Sequence, residues 1–190
     1  MQPIILASQS PRRKQLLEWA EIPFSIVAKE TGETYPGGLS VQDIPVHIAR
    51  AKAAAVRDEA GADKIILAAD TVVVIEGQII GKPKDPADAE RMLSLLSGRK
   101  HEVITGVVLV QDKKEQAFAE TTQVQFHALS AQQIKFYVEK YKPFDKAGAY
   151  AIQEWIGVVG IEWINGDFYN VMGLPVSRVV QLLHQWNAAN

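Results

Sequence analysis

The stretch Pro3-Ile4-Ile5-Leu6-Ala7-Ser8-Gln9-Ser10-Pro11-Arg12-Arg13-Lys14 decides the fold class. Ile4 to Ala7 is a short continuous apolar run, as expected of a buried strand (Pro3–Ser8). Ser10 followed by Pro11 has the pattern of an N-cap with proline at the first helical position, and predicts a helix to about Ala20. A strand passing directly into a helix is the building unit of an α/β fold. The same stretch holds a local conflict. A helix N-terminus carries about +0.5 of an elementary charge and free N–H donors, yet Arg12, Arg13 and Lys14 occupy the first turn. This is either a solvated basic turn of small cost, or the place where an anion binds.

Pro23–Ala28 reads as a second strand and residues 29–40 as a loop. A helix follows, starting between Ser40 and Ile44 and ending at Gly61. Lys64–Ile75 is a long apolar run broken by Asp70-Thr71, and Glu76-Gly77 turns it into a strand at Gln78–Gly81. Asp85-Pro86 caps a helix that ends at Gly98. Strands are expected at Glu102–Val110 and Ala119–Phe126, joined by polar Gln111–Gln116. Ser130-x-x-Gln133 is a capping box for a helix through Tyr141. Gly157–Ile164 and Phe168–Met172, flanking Asn165-Gly166-Asp167, carry a hairpin signal. Leu174-Pro175 opens a last helix with Val179, Val180, Leu183 and Trp186 at helical spacing. Helices alternating with strands and several hairpins predict an α/β fold with a mixed sheet.

Composition narrows the function. The chain has 190 residues, 47% hydrophobic and 22% charged, which excludes a disordered tail or a collagen. One domain, 1–190, is expected. The absence of cysteine removes disulfides, thiolate zinc sites and iron–sulfur centres. Apolar runs such as Gly106–Val110 are far short of the ~20 residues that span a bilayer, and Met1–Leu6 lacks the charged region of a signal peptide. A net charge of −2 gives no global attraction for nucleic acid. An anionic substrate must therefore meet local charge.

Asp70 is one candidate for chemistry, because a carboxylate within a strand is costly to bury unless paired or metal-bound. It is either a base or metal ligand, or an exposed strand end. Gly81-Lys82-Pro83-Lys84 departs from a P-loop, since Pro83 stands where the magnesium-binding Ser or Thr belongs. Its lysines form either a phosphate clamp or a solvated turn. On the helix before Gly61, Lys52 falls about 40° and Val56 about 80° from Ile48, so Lys52 lies inside the apolar stripe. It either snorkels from the edge or aims an ammonium into a cleft. The loop from Asp145 to Gln153 offers in Gln153 an amide able to read a base. The four histidines are scattered, without zinc spacing.

Taken together, Ser8–Arg13 (S-x-S-P-R-R), Glu33, Ala69-Asp70-Thr71, Gly81-Lys82-Pro83, Leu96-Ser97-Gly98, Asp145–Tyr150 and Val171–Pro175 resemble the Maf family of nucleoside triphosphate pyrophosphatases over nearly the whole chain. The resemblance implies a two-lobed mixed sheet with flanking helices and a central cleft, similar to the inosine-triphosphate pyrophosphatases. It implies cleavage between the α- and β-phosphates, a divalent cation (magnesium or manganese), a cytoplasmic location, a homodimer and a house-cleaning role in nucleotide metabolism. Arg12, Thr71 and Gln153 match the dTTP/UTP branch, with modified uridine nucleotides as further substrates. On this resemblance Asp70 is the catalytic base, and Glu33 with Asp70 holds the metal. Ser8, Arg12, Arg13, Lys52 and Lys82 bind the triphosphate, while Arg12, Thr71 and Gln153 select the pyrimidine. Ala151 and Glu154 depart from the family pattern, which commonly has glycine there, and Thr31-Gly32 precede Glu33 where an acidic residue is usual. The competing reading is a non-catalytic nucleotide-binding regulator of septum formation or cell division.

Overall fold

Strand β1 (Ile4–Leu6) is fully buried and pairs in parallel with β2 (Phe24–Ile26) on one side and with β3 (Ile66–Ile75) on the other. The computed structural model describes residues 2–61 and 63–188, without the side chains of 187 and 188. The sheet order is β2-β1-β3-β5-β6-β7, with β5 at Lys100–Gln111, β6 at Lys114–Phe126 and β7 at Ile161–Asn165. β4 (Gln78–Ile80) folds back on β3, antiparallel, with Val73 opposite Ile80. β6 and β7 are also antiparallel. Parallel and antiparallel pairs in one sheet make this the mixed α/β fold expected.

The chain groups into two compact units. The first comprises residues 1–70, 105–120 and 173–190. Its helices are α1 (Pro11–Trp19), α2 (Asp43–Ala60) and, at the C-terminus, α7 (Val176–Ala188). α2 starts at Asp43, within the expected Ser40–Ile44 range, with Gln42 at the N-cap and the Ser40 hydroxyl before it accepting from the Asp43 amide at 3.1 Å. Its stripe Val46, Ala49, Ala53 and Val56 packs with Ile5 and Ile66. The backbones approach so closely there that a Cβ on Gly106 would lie 2.2 Å from the Val46 nitrogen, so only glycine fits.

The second unit comprises residues 71–104 and 121–172. α3 (Pro86–Leu96) is capped by Asp85, whose carboxylate accepts from the Asp88 amide at 2.8 Å. α4 (Ala131–Tyr141) carries the full Ser130/Gln133 capping box. Two expectations fail. The polar stretch 111–116 is not a long loop: β5 and β6 extend through most of it, leaving Asp112-Lys113 as a turn with Asp112 in the left-handed region at φ 48°. The expected hairpin around Asn165-Gly166-Asp167 is instead helix α5 (Trp155–Gly160), strand β7 and helix α6 (Phe168–Met172). Asp167 Oδ1 accepts from the amides of Tyr169 and Asn170, at 2.7 and 3.3 Å, so the turn residue caps a helix.

Inside this unit His101, 2% exposed, shares a 2.8 Å hydrogen bond with the Tyr150 hydroxyl and meets Phe126 edge-on. Burial holds the imidazole down at about 4, against an opposing pull from the Arg99 backbone. The unfolded chain therefore takes up this proton first. The stabilisation is complete above an ordinary histidine value of about 6.5 and lost as pH falls toward 4, by about 3 kcal/mol. Urea unfolding of wild type and His101→Gln between pH 7 and 4 should show the flatter curve in the variant. Equal slopes would count against a buried neutral imidazole.

Candidate active site

The first unit gathers six of the expected site residues. Ser8 follows β1, and its hydroxyl accepts from the Ser10 amide and from Arg13 Nη1, both at 3.2 Å. Ser10 stands at the N-cap of α1 but makes no side-chain cap. The basic first turn is thus explained in part. Arg13 turns inward, 8% exposed, and its Nε donates to the Gly173 carbonyl at 2.8 Å. Burial lowers its pKa, opposed by Asp70, reinforced by Arg12 and opposed again by Glu33. Arg12 is half-buried beside it. Arg13 therefore tethers the start of α1 to the chain entering α7, while sharing its field with both carboxylates.

Asp70 is buried, 7% exposed, in the apolar run of β3. Lys52, from the stripe of α2, reaches its Oδ1 at 2.5 Å and lies 3.9 Å from Glu33 Oε1. The position of Lys52 among apolar residues is thereby accounted for: its stem crosses the core face and its ammonium meets two carboxylates. Glu33 is half-exposed, on the loop between β2 and α2. Asp70 is thus a buried carboxylate beside the Lys52 ammonium and in the field of Arg13, with Arg12 next to Arg13; such a mix of one carboxylate and several cations is able to receive a polyanion and activate water against it.

Glu33 and Asp70 share the Lys52 ammonium, at 3.9 and 2.5 Å, and are the carboxylates that would hold a cation here. Hard carboxylate oxygens suit magnesium or manganese. Among the described residues no group of three or more His, Asp or Glu is placed to hold a metal.

The second unit holds the other three. Thr71 is half-buried, directly after Asp70 in β3. Lys82 is exposed after β4, on a loop pinned by a 3.0 Å bond from the Gly148 amide to the Gly81 carbonyl. Gln153 is exposed and lines an apolar pocket of about 560 Å³ with Ile152, Val158, Trp163 and Phe168. Tyr137 and Glu154, which hold the turn bearing Gln153, are not among the residues the sequence pattern assigns to a site. Tyr137 lies in the buried stripe of α4, where pattern reads only as core.

Residues 3–186 match the model of the family described as Maf-like protein. The chain belongs to the Maf family. A dTTP/UTP pyrophosphatase of Cytophaga hutchinsonii is 51% identical over 182 residues, covering 96% of this chain and 83% of the relative. One of Porphyromonas gingivalis is 45% identical over 190 residues, covering 98% and 96%. A solved dITP/XTP pyrophosphatase of Mycobacterium abscessus aligns at 17% identity and a TM-score of 0.40, over 67% of this chain and 76% of that one. No described helix of this Maf chain is long and apolar enough to cross a membrane.

Proposed function

We propose that this chain hydrolyses dTTP and UTP to the monophosphate and pyrophosphate. The observation that carries the proposal is identity of 45–51% over 182 to 190 residues to relatives named for that activity. The buried Asp70 amid cations supports it independently. Water attacks the α-phosphorus, and the bond from that phosphorus to the oxygen bridging to the β-phosphate breaks. Asp70 orients the water and takes its proton. Arg12, Arg13, Lys52 and Lys82 neutralise the phosphate oxygens, the arginines in bidentate fashion, and the Ser8 hydroxyl adds a hydrogen bond. Glu33 and Asp70 would hold the divalent cation, which supplies further neutralisation of phosphate charge. Arg12, Thr71 and Gln153 select the base.

The same reading takes a nucleoside triphosphate rather than nucleic acid as ligand. It treats 1–190 as one functional Maf domain, cytoplasmic and homodimeric. Pyrophosphate release from dTTP, UTP, dCTP and GTP, with magnesium, with manganese and with chelator, tests it. Release from dTTP and UTP that stops on chelation is expected. Nucleotide binding without any release would mark a regulator instead.

A further inference from the structure

Gln153 is an exposed amide, yet the backbone on both sides of it is held. Ala151 and Ile152 before it are buried, and the Ala151 amide donates to the Tyr137 hydroxyl at 3.2 Å. After it, Glu154 uses both carboxylate oxygens: Oε2 accepts from the same Tyr137 hydroxyl, and Oε1 faces Lys146 Nζ at 3.5 Å. Lys146 is itself buried and completes its pairing with Asp145 at 2.8 Å. One phenol thus bridges the two flanks of Gln153, accepting from one and donating to the other.

The geometry points to Tyr137, Glu154 and Lys146 as a latch that positions Gln153, and so sets base discrimination without touching the substrate. This rests on the dTTP/UTP reading above. Glu154 stands at the N-cap position of α5 but makes no capping bond there, so its carboxylate is committed to the latch. Burial and then Glu154 push the Tyr137 phenol above its ordinary range, so it remains a donor throughout the working pH range. The turn cannot easily widen on its other side. The Glu154 amide donates to the Ala151 carbonyl at 3.1 Å and the Gly157 amide to the Glu154 carbonyl at 2.9 Å. A Cβ on Gly157 would lie 1.7 Å from the Ile152 oxygen, which shows how closely α5 is drawn onto this turn. The Tyr137 ring is fully buried and stacks on Tyr141, so the anchor is packed into the core. A polar amide presented from a pinned turn at the wall of an apolar pocket pays little ordering cost when it meets a base.

The test uses the full chain as wild type, Tyr137→Phe, Glu154→Gln, Gln153→Ala and the double variant Tyr137→Phe/Gln153→Ala. Amide hydrogen exchange at Ala151 to Glu154 reads the latch, and kcat and KM for UTP and CTP read its consequence. Tyr137→Phe keeps the ring and removes both bonds, so exchange at Ala151 should rise at least about tenfold. KM for UTP should rise, kcat should stay within about threefold, and the UTP-over-CTP ratio of kcat/KM should fall about three- to tenfold. Glu154→Gln can still accept from Tyr137 and should show the smaller loss. In the Gln153→Ala background, removing the Tyr137 hydroxyl should cost no further discrimination, because the latch acts through Gln153. Unchanged exchange in Tyr137→Phe overturns the latch. Faster exchange with unchanged discrimination, or equal loss toward both nucleotides, overturns its role in specificity. A wild type that releases pyrophosphate from neither dTTP nor UTP overturns the substrate reading and that role together, while exchange still decides whether the latch exists.

Discussion

Asp70→Asn should lower kcat for dTTP hydrolysis by about 10²- to 10⁴-fold while nucleotide still binds. The amide keeps the size of the carboxylate and can still hydrogen-bond, but it cannot accept a proton from water at neutral pH. Asp70 is the buried carboxylate of this cluster, at 7% exposure, and it is held at Oδ1 by Lys52. The substitution also removes one negative charge from a site that must receive a polyanion. Electrostatics alone therefore favours retained or tighter binding, so a fall in kcat with no rise in Kd separates loss of the base from loss of the pocket. Lys52 keeps Glu33 as a second carboxylate at 3.9 Å, which limits the cost of leaving its ammonium without Asp70. Thermal unfolding of the variant checks that the fold survives. Retention of more than about a tenth of the wild-type rate would dismiss Asp70 as the base.

The residues that could be read in advance are those that break a local rule. Asp70 interrupts an apolar strand, Lys52 interrupts an apolar stripe, and Arg12 and Arg13 oppose a helix dipole. Asp70 and Lys52 prove to be each other's partner, Lys52 also approaches Glu33, and Arg13 lies in the field of both carboxylates. Capping patterns at Asp85 and Ser130 were equally legible because their bonds close within four residues. What stayed hidden depends on distant pairing. Trp155-Ile156-Gly157-Val158-Val159-Gly160 is rich in residues that favour strands, but Gly157 lets the chain coil against the Ile152 carbonyl and a helix forms. Tyr137 and Glu154 are 17 residues apart, beyond any helical or strand period, so their bond leaves no trace in the pattern. Arg13 was legible as a cation near an anion site, but its bond to Gly173, 160 residues away, was not.

The substrate preference should follow the hydrogen-bonding edge of the base. Thymine and uracil present carbonyl oxygens at O2 and O4 and a single N3–H donor. Cytosine carries an amino group at position 4 and no proton on N3. The Gln153 amide can give one donor and one acceptor to the O4/N3 edge, and the Thr71 hydroxyl can rotate to serve as either. A mismatched base leaves such groups unpaired at about 1–3 kcal/mol each, or roughly 5- to 150-fold in kcat/KM. Wild type should therefore prefer dTTP and UTP to dCTP and to GTP by at least that range. Thr71→Gln combined with Gln153→Glu should erode the preference, because a carboxylate in place of the amide can only accept and would repel O4. Gln153 is exposed and Thr71 half-buried, so the double variant removes little packing and should fold. The neighbouring latch also remains intact, since neither substitution touches Tyr137, Glu154 or Lys146. Measured kcat/KM for the four nucleotides decides the matter. If dCTP or GTP proved as good a substrate as dTTP for the wild type, selection by Arg12, Thr71 and Gln153 would fail, while pyrophosphate release centred on Asp70 would stand on its own test.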